Sequence, residues 1–440
     1  MSEQTESRLR SNRTGVLLSG ALLLIAAVLV LSACSSGGST GDVTARWQSE
    51  TSTEGGVTIV RTLGGSVWQG EARLVEEASI GSTDGPDEYL LGQISGMAVH
   101  GDRIYILDSQ IPVVRVYDLD GVHLMDIGRS GGGPGEFREP RSLAVDPNTG
   151  RLFVRDSQNA RVNIYSPAGD PLDQWAISST FSTSRPLVAT VGGELYTMQL
   201  LNPGSSLDDW QMGMCRLGPQ GTELDTIPAP VFDFDSSQWR VIARTENNES
   251  ATTIPYAPGA MWTMTAEGAM VGGVSEEYRF EVRWPDGHTT RIEKVWGDRV
   301  PVRREEAAWL RRRITEQFQE NFPGWAWSNH RDIPGHKPPY SSLVADLSGR
   351  IWVGRLGPSV ELEDGVIQAD DSRDYWRYPR WRSTTFWEVF TAEGEFLGPI
   401  AVPENLQLGD ASWIHEDTVV ARYTDDDGVP YVKRYRIVLP

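Results

Sequence analysis

Two Asp-Ser-Gln triplets are the first residues in this sequence whose type and spacing could support chemistry. They begin at Asp108 and Asp156, so the same carboxylate recurs 48 residues further along the chain. Carboxylates repeated around a channel can bind a divalent cation and activate water for a metal-assisted hydrolase or lyase. Asp before Ser is also a common turn initiator, because its carboxylate accepts hydrogen bonds from nearby backbone N–H groups. The Asp-Ser pair therefore favours a turn, and a cation site remains the alternative interpretation.

Histidine and cysteine add little to a metal centre or a nucleophile. Of six histidines, only His330 and His336 are near neighbours, in a polar loop, and their spacing fits no zinc signature. A solvent-exposed loop is expected there, with these two histidines kept as candidate metal ligands. Cys215 lies in an apolar stretch and is expected to be an inert buried thiol. No catalytic residue is assigned, and no cofactor is expected unless a divalent cation binds.

Aromatic residues and arginines cluster in two segments of the C-terminal half of the chain. Such clusters on exposed loops are typical of surfaces that recognise proteins, peptides or sugars. The alternative is that the aromatic rings pack these segments onto the body of the protein, and both roles can hold together. The candidate ligand-binding residues are Trp325, Trp327, Trp376, Tyr378, Trp381 and Arg382.

Internal repetition indicates the elements that must position these residues. The stretch 97–110 and the stretch 143–158 share an apolar run, a turn, a second apolar run and then Asp-Ser-Gln. Each continues to an apolar segment ending in tyrosine (Tyr117 and Tyr165), then to a turn and a fourth apolar segment. Four short strands at this period are typical of the blades of a β-propeller. Weaker copies are expected at 187–227, at 260–296, at 343–353 with a continuation at 386–394, and at 411–438.

The last copy contains only three strands, and this predicts how the ring closes. Arg73 to Ile80 is a strand-like segment with no blade of its own. If it pairs with the blade at 411–438, six four-stranded blades form a closed all-β ring that leaves no long open edge. Five or seven blades remain alternatives at this stage.

The second copy resembles a known repeat family. Gly131-Gly132-Gly133-Pro134-Gly135-Glu136-Phe137, followed by Pro140, Leu143-Ala144-Val145-Asp146 and Asp156-Ser157-Gln158-Asn159-Ala160-Arg161-Val162, resembles an NHL-repeat propeller unit. The match is strong over residues 93–177 and architectural over the rest. The resemblance implies a six-bladed propeller, a fold that hosts binding modules and some enzymes alike.

Three segments interrupt the repeat. Residues 228–258 and 297–337 lengthen connections between blades, and 356–384 separates the second and third strands of the fifth blade. Both kinds of connection emerge on the same face of an up-and-down blade, so the insertions should crowd one face. One of them is expected to be helical near 301–321, where Pro301 precedes apolar residues at helical spacing.

The N-terminus carries the features of an export signal. Three arginines precede an apolar run from Val16 to Leu31, and small residues then lead into Cys34. This window resembles the bacterial lipobox, which implies a diacylglyceryl group on Cys34 and removal of residues 1–33. An uncleaved membrane anchor is the alternative, because residues 16–33 come close to the length that spans a bilayer.

These features predict a lipid-anchored propeller of the cell envelope, periplasmic or at the cell surface. Residues 34–71 are expected to form a flexible Ser/Gly/Thr-rich tether to a propeller at 72–440, with its plain face towards the membrane. The formal charge of −20 argues against nucleic-acid binding. The predicted function is a monomeric module that binds or scaffolds an unknown protein, peptide or carbohydrate. The alternative is a metal-assisted hydrolase or lyase at the channel mouth.

Overall fold

The computed structural model describes residues 42–177, 187–202, 210–245, 248–295, 299–328, 330–362, 380–409 and 412–440. The signal segment, Cys34, Trp376 and Tyr378 therefore lie outside the described residues. The first three strands are β1 (Gln48–Glu54), β2 (Val57–Gly64) and β3 (Ala72–Ile80).

Three antiparallel blades follow, each with four strands in chain order. Blade one contains β4 (Ile94–His100), β5 (Arg103–Asp108), β6 (Val113–Asp118) and β7 (His123–Ile127). Blade two contains β8 (Pro140–Val145), β9 (Leu152–Asp156), β10 (Arg161–Tyr165) and β11 (Pro171–Ala176). Blade three contains β12 (Leu187–Ala189), β13 (Leu195–Leu200), β14 (Met212–Leu217) and β15 (Glu223–Pro228).

A separate hairpin and a helix lie among the next three blades. The hairpin consists of β16 (Arg240–Arg244) and β17 (Glu249–Thr253). Blade four contains β18 (Ala260–Met264), β19 (Met270–Val274), β20 (Arg279–Arg283) and β21 (Thr289–Lys294), and helix α1 (Arg304–Asn321) follows it. Blade five contains β22 (Ser342–Ala345), β23 (Arg350–Glu361), β24 (Trp381–Thr391) and β25 (Phe396–Ala401). Blade six contains β28 (Thr418–Thr424) and β29 (Pro430–Val438), and its inner position is occupied by two short strands, β26 (Leu406–Gln407) and β27 (Trp413–His415), which both pair with the same edge of β28. Short 3-10 segments lie at Asp87–Tyr89, Pro219–Gly221 and Ser236–Trp239.

The predicted closure of the ring is confirmed. Strand β3 pairs antiparallel with β29 from Val432↔Ile80 to Val438↔Arg73, and so supplies the fourth strand of blade six. Ile80 is 1% exposed and packs with Val420 and Val432 of that blade and with apolar residues of blade one. One strand therefore completes a sheet and also joins the two blades that meet at the ring's seam. The chain is a six-bladed β-propeller.

The predicted tether is wrong over residues 42–71, because this segment follows the outer edges of the ring. Strand β2 pairs parallel with β21 of blade four, and β1 pairs antiparallel with β2. The chain then passes along blade five, where the Val67 N–H donates to the Phe396 carbonyl at 3.0 Å, and continues into β3. Residues 42–80 thus form a belt across blades four, five and six. The expected membrane-facing orientation loses its basis, since it assumed a free chain up to residue 71.

Two of the insertions lie outside the four-stranded blades, whereas part of the third belongs to blade five. The first contains the β16–β17 hairpin and the second contains α1, which begins three residues later than the predicted helical segment. Much of the third continues blade five, because β23 and β24 remain paired as far as Glu361↔Trp381. Residues 363–379 of this insertion lie outside the described residues. No helix within the described ranges is long and apolar enough to cross a membrane.

Deleting the closing strand should open the ring. Removal of residues 42–80 would expose the backbone of β29 and the apolar surface that Ile80 covers, and each buried isoleucine contributes about 1.5–3 kcal/mol. We expect loss of the monomer and of cooperative thermal unfolding, measured by size-exclusion chromatography and calorimetry.

Removal of residues 42–64 alone is the matched control for this deletion. It takes away the hairpin on blade four and leaves β3 in place, so a less stable monomer should remain. Equal behaviour of the two deletions would contradict the assignment of closure to β3.

Candidate functional site

Asp108 and Asp156 hold the connections that enter their blades. The Asp108 carboxylate accepts the backbone N–H groups of Gly92 at 2.7 Å and Gln93 at 3.1 Å, just before β4. The Asp156 carboxylate accepts the N–H of Glu139 at 2.9 Å, just before β8. Both aspartates are fully buried, and their oxygens are used within their own blades. The repeated Asp-Ser-Gln triplet thus forms a turn in each blade, as the turn interpretation predicted. Each aspartate is used in its own blade rather than in a shared site.

The other candidate ligands are also separate. His330 stacks on Trp325 with ring centroids 6.1 Å apart, while the His336 backbone forms an isolated bridge with Pro301. No group of three His, Cys, Asp or Glu side chains in the described ranges is placed to hold a metal ion. Cys215 is buried in β14, and burial raises the pKa of its thiol to about 11, as expected for an inert cysteine.

The central channel offers mainly apolar groups. A cavity of about 150 Å³ is lined by the first strands of the blades, with Ala98, Ala144 and Ala189 among its residues. Among the described residues of this lining, the carboxylate is Asp346, which accepts from the Trp352 indole at 2.8 Å and pairs with Arg350 at 2.6 Å. This carboxylate is therefore used within blade five.

The described candidate aromatic residues pack the insertions, which is the alternative that the sequence analysis kept beside ligand contact. Trp381 is 8% exposed, and the Trp325 ring packs edge-on against Phe318 of α1 at 4.7 Å. The Trp327 ring is half-buried, with the Arg311 guanidinium 5.4 Å from its centroid. Arg382 is exposed and pairs with Glu404 at 2.6 Å. An aromatic ring has a large apolar surface, so neighbouring elements pack over it and remove it from water.

The insertions form a small domain-like cap with its own core. Helix α1 contributes Ile314 and Phe318, and the β16–β17 hairpin contributes Val241 and Ala243. Ile333 and half-buried aromatic residues complete this cluster, which is separate from the cores between the blades. We refer to residues 236–257 and 299–340, where described, as the cap.

A buried polar junction attaches the cap to blade five. Glu306 of α1 accepts hydrogen bonds from Tyr256 Oη and Ser359 Oγ, both at 2.5 Å. Lys337 Nζ donates to the Gly357 carbonyl at 2.6 Å, to Ser359 Oγ at 2.7 Å and to Ser383 Oγ at 2.8 Å. Residues from all three insertions thus meet at one point, in agreement with the expectation that the insertions crowd one face of the propeller. Burial lowers the pKa of Lys337, and burial together with Glu306 raises the pKa of Tyr256 to about 12.

The backbone of β23 is shaped for this junction. A bulge between Leu356 and Ser359 interrupts the pairing with β24 and turns the Gly357 carbonyl towards Lys337. Bulges re-aim backbone groups in this way at the ends of sheets.

A second buried cluster joins blades four and five beneath the cap. Glu388 Oε1 accepts from Lys294 Nζ at 2.6 Å and from the Arg355 guanidinium at 3.0 Å, and Tyr278 Oη donates to Oε2 at 2.5 Å. Burial alone would raise the pKa of Glu388, but the two cations outweigh burial and hold it below its ordinary value. Burial lowers the pKa of Lys294, so the carboxylate and the lysine depend on each other to remain charged.

Sequence analysis missed both clusters, although one signal was present. Glu388 stands between Trp387 and Val389 in the strand-like run Phe386 to Phe390, where a charge needs a buried partner. The partner Lys294 is 94 residues away, and no local pattern identifies it.

Comparisons with known proteins agree with the fold. The DUF5128 family, described as a "6-bladed beta-propeller", matches residues 84–176. Rat peptidylglycine alpha-amidating monooxygenase is 39% identical over 99 residues, which are 21% of this chain and 10% of that protein. The mouse protein is 35% identical over 83 residues, 18% of this chain and 8% of that one. The chain therefore spans only about a tenth of these relatives.

Solved structures show similarity over more of the chain at low identity. A member of the DUF4221 family from Bacteroides vulgatus is 11% identical with a TM-score of 0.43, covering 84% of this chain and 99% of that one. A catalytically inactive virginiamycin B lyase from Staphylococcus aureus is 9% identical with a TM-score of 0.40, covering 84% and 100%. The strand pairing described above, rather than these similarities, establishes the propeller.

Replacing Glu388 with glutamine should destabilise the protein. Lys294 and Arg355 would then share a buried site without a countercharge, which typically costs about 3–5 kcal/mol of unfolding free energy. Urea denaturation at pH 7 measures the change. Because the folded-state pKa of Glu388 lies below 4.5, its stabilisation is complete above that pH and is lost as the pH falls through the lowered pKa. The difference between wild type and Glu388→Gln should therefore shrink in acid.

Glu404→Gln is the matched control, because this carboxylate forms an exposed ion pair with Arg382. It should change stability by less than about 1 kcal/mol. A Glu388→Gln protein as stable as this control would refute the coupling.

Proposed function

We propose that this chain is a lipid-anchored binding module of the cell envelope, in which the propeller carries the cap as its recognition surface. The six blades close without the insertions, so the cap is additional to what the fold needs. The observation that carries the proposal is the convergence of three insertions, distant in sequence, on one cored and polar-anchored unit. Rigid support of this kind is what a preformed binding surface requires.

The charge of the cap indicates the chemistry of the partner. Residues 299–340 contain eight basic and five acidic side chains, a formal charge of +3, whereas the whole chain carries −20. An open groove of about 610 Å³ along α1 is lined by the exposed Arg304 and Arg312, by Arg311, and by the carboxylates Glu316 and Asp332, of which Asp332 pairs with Arg311. A basic surface on an acidic protein favours an acidic segment of a partner protein, since complementary potentials speed association and exclude wrong partners.

The anchor rests on the N-terminal sequence and on the belt. Lipid on Cys34 would leave seven residues before Asp42, where the described chain begins. The eight steps from Cys34 to Asp42 extend to at most about 28 Å. The propeller would then be held close to the membrane, with far less freedom than a tether of 37 residues provides.

The hydrolase or lyase alternative has no comparable observation in its favour. It needs acidic or histidine side chains free to hold a cation at the channel, and Asp346 is used by Trp352 and Arg350. We therefore do not assign a catalytic role to this chain.

Charge reversal on α1 tests the binding surface. The double variant Arg304→Glu/Arg312→Glu keeps both side chains exposed, so the fold should be retained while an acidic partner is repelled. We expect the full-length double variant, crosslinked in envelope membranes, to lose its partner. Its affinity for that partner should be at least about tenfold weaker than that of wild type. Quantitative mass spectrometry of the crosslinked products measures this loss.

Arg151→Glu is the control for that variant, because Arg151 is an exposed arginine in the turn between β8 and β9, on the opposite face. Identical crosslinked products from the double variant and wild type would reject the α1 groove as the binding surface.

The anchor is tested by the mass of the mature N-terminus. Wild-type protein from membranes should lack residues 1–33 and carry a diacylglyceryl group on Cys34. Cys34→Ala should carry no lipid and keep its signal segment. An unmodified N-terminal peptide in the wild type would instead support the uncleaved anchor.

A further inference from the structure

A cavity of about 200 Å³ lies beneath the cap, between blades four and five. Its walls come from the loop between β19 and β20, the end of β21, the connections on either side of α1, and β23. The second buried cluster, Lys294, Arg355, Tyr278 and Glu388, forms its inner end, since the first three of these residues line it. The side chains of Arg299 and Glu277 are exposed at its mouth.

Cations outnumber carboxylates among the described residues around this cavity. The described part of its lining carries four cationic side chains, Lys294, Arg299, Lys337 and Arg355, and one carboxylate, Glu277. Behind the lining, Glu388 contacts both Lys294 and Arg355 through the same oxygen, and Glu306 lies beside Lys337 at the cap junction, so the described charges around the cavity leave an excess of one cation. The Lys294 side chain is only 2% exposed, and the Phe396 ring centroid lies 4.2 Å from its ammonium nitrogen.

The cations differ in what they can offer a ligand. Lys337 already donates to three oxygens at the cap junction, so it contributes its field rather than a direct hydrogen bond. The Arg355 guanidinium uses Nε for the Pro339 carbonyl at 3.1 Å and one terminal nitrogen for Glu388. An arginine has five N–H donors in a planar fork that matches the oxygens of carboxylates and phosphates. Arg299 at the mouth adds a second guanidinium that can swing onto a bound anion.

We propose that this cavity binds a small molecule bearing a carboxylate or phosphate group, with Arg355 and Arg299 as its direct ligands. Lys294 and Lys337 supply the surrounding positive field, and Glu388 holds the inner cations in place. The site is distinct from the α1 groove, and it does not depend on the partner proposed for that groove. Because its roof is the pair of connections that carry α1, an occupied cavity would also brace the cap against blade five.

Titration calorimetry of the detergent-solubilised full-length protein tests the site, with inorganic phosphate and succinate as separate probes at low ionic strength. We expect at least one probe to bind with a Kd below about 1 mM. Arg299→Gln and Arg355→Gln should each weaken binding about tenfold, because each removes a charge-assisted hydrogen bond. Glu277→Gln should tighten binding by about twofold, because it removes an exposed like charge at the mouth. Whichever probe binds more tightly identifies the acid group preferred.

Arg304→Gln on the outer side of the cap is the control and should bind as wild type does. Arg299 is exposed, so its variant separates loss of binding from loss of folding. Failure of both probes to bind, or equal binding by wild type, Arg299→Gln and Arg355→Gln, would overturn the proposal. Loss of the crosslinked partner in Arg304→Glu/Arg312→Glu with anion binding unchanged would show that the two sites are separate.

Discussion

The pairing of β3 with β29 is the constraint on which the rest of this structure depends. A sheet left with three strands at the end of the chain would present an open edge, and the first and sixth blades would have no common strand. Because β3 is contiguous with blade one, closing the sixth sheet also fixes the seam of the ring. Every other blade then has two neighbours on which to bury its apolar faces.

The belt explains how a single strand can close the ring stably. The same segment first pairs with blade four, then follows blade five, and only afterwards becomes the outer strand of blade six. Opening the seam therefore requires strand separation on one blade while the chain is still held on two others.

Blades four and five carry most of what is unusual in the molecule. The cap rests on this sector of the ring, and its junction at Glu306 and Lys337 lies close to the cluster at Lys294 and Glu388. Buried charges at such a boundary cost desolvation energy, and they are stable only because each has a partner in fixed geometry. These groups join the cap to the ring on the side where we propose that a partner binds.

Local patterns in the sequence predicted the four-stranded blades and the closing strand, while the number of blades stayed open between five, six and seven until the strand pairing fixed it. Alternating apolar residues and turn residues act over a few positions, and the 48-residue repeat shows them twice in nearly the same form. The role of Asp108 and Asp156 followed equally from local chemistry, since an aspartate before serine bonds nearby backbone N–H groups. Only the tertiary structure decided that residues 42–71 are a belt, that Trp325 packs against α1 and Trp381 is buried, and that Lys294 contacts Glu388. Polar or aromatic character does not reveal whether a surface is covered, because the covering residues lie tens to hundreds of positions away in the chain.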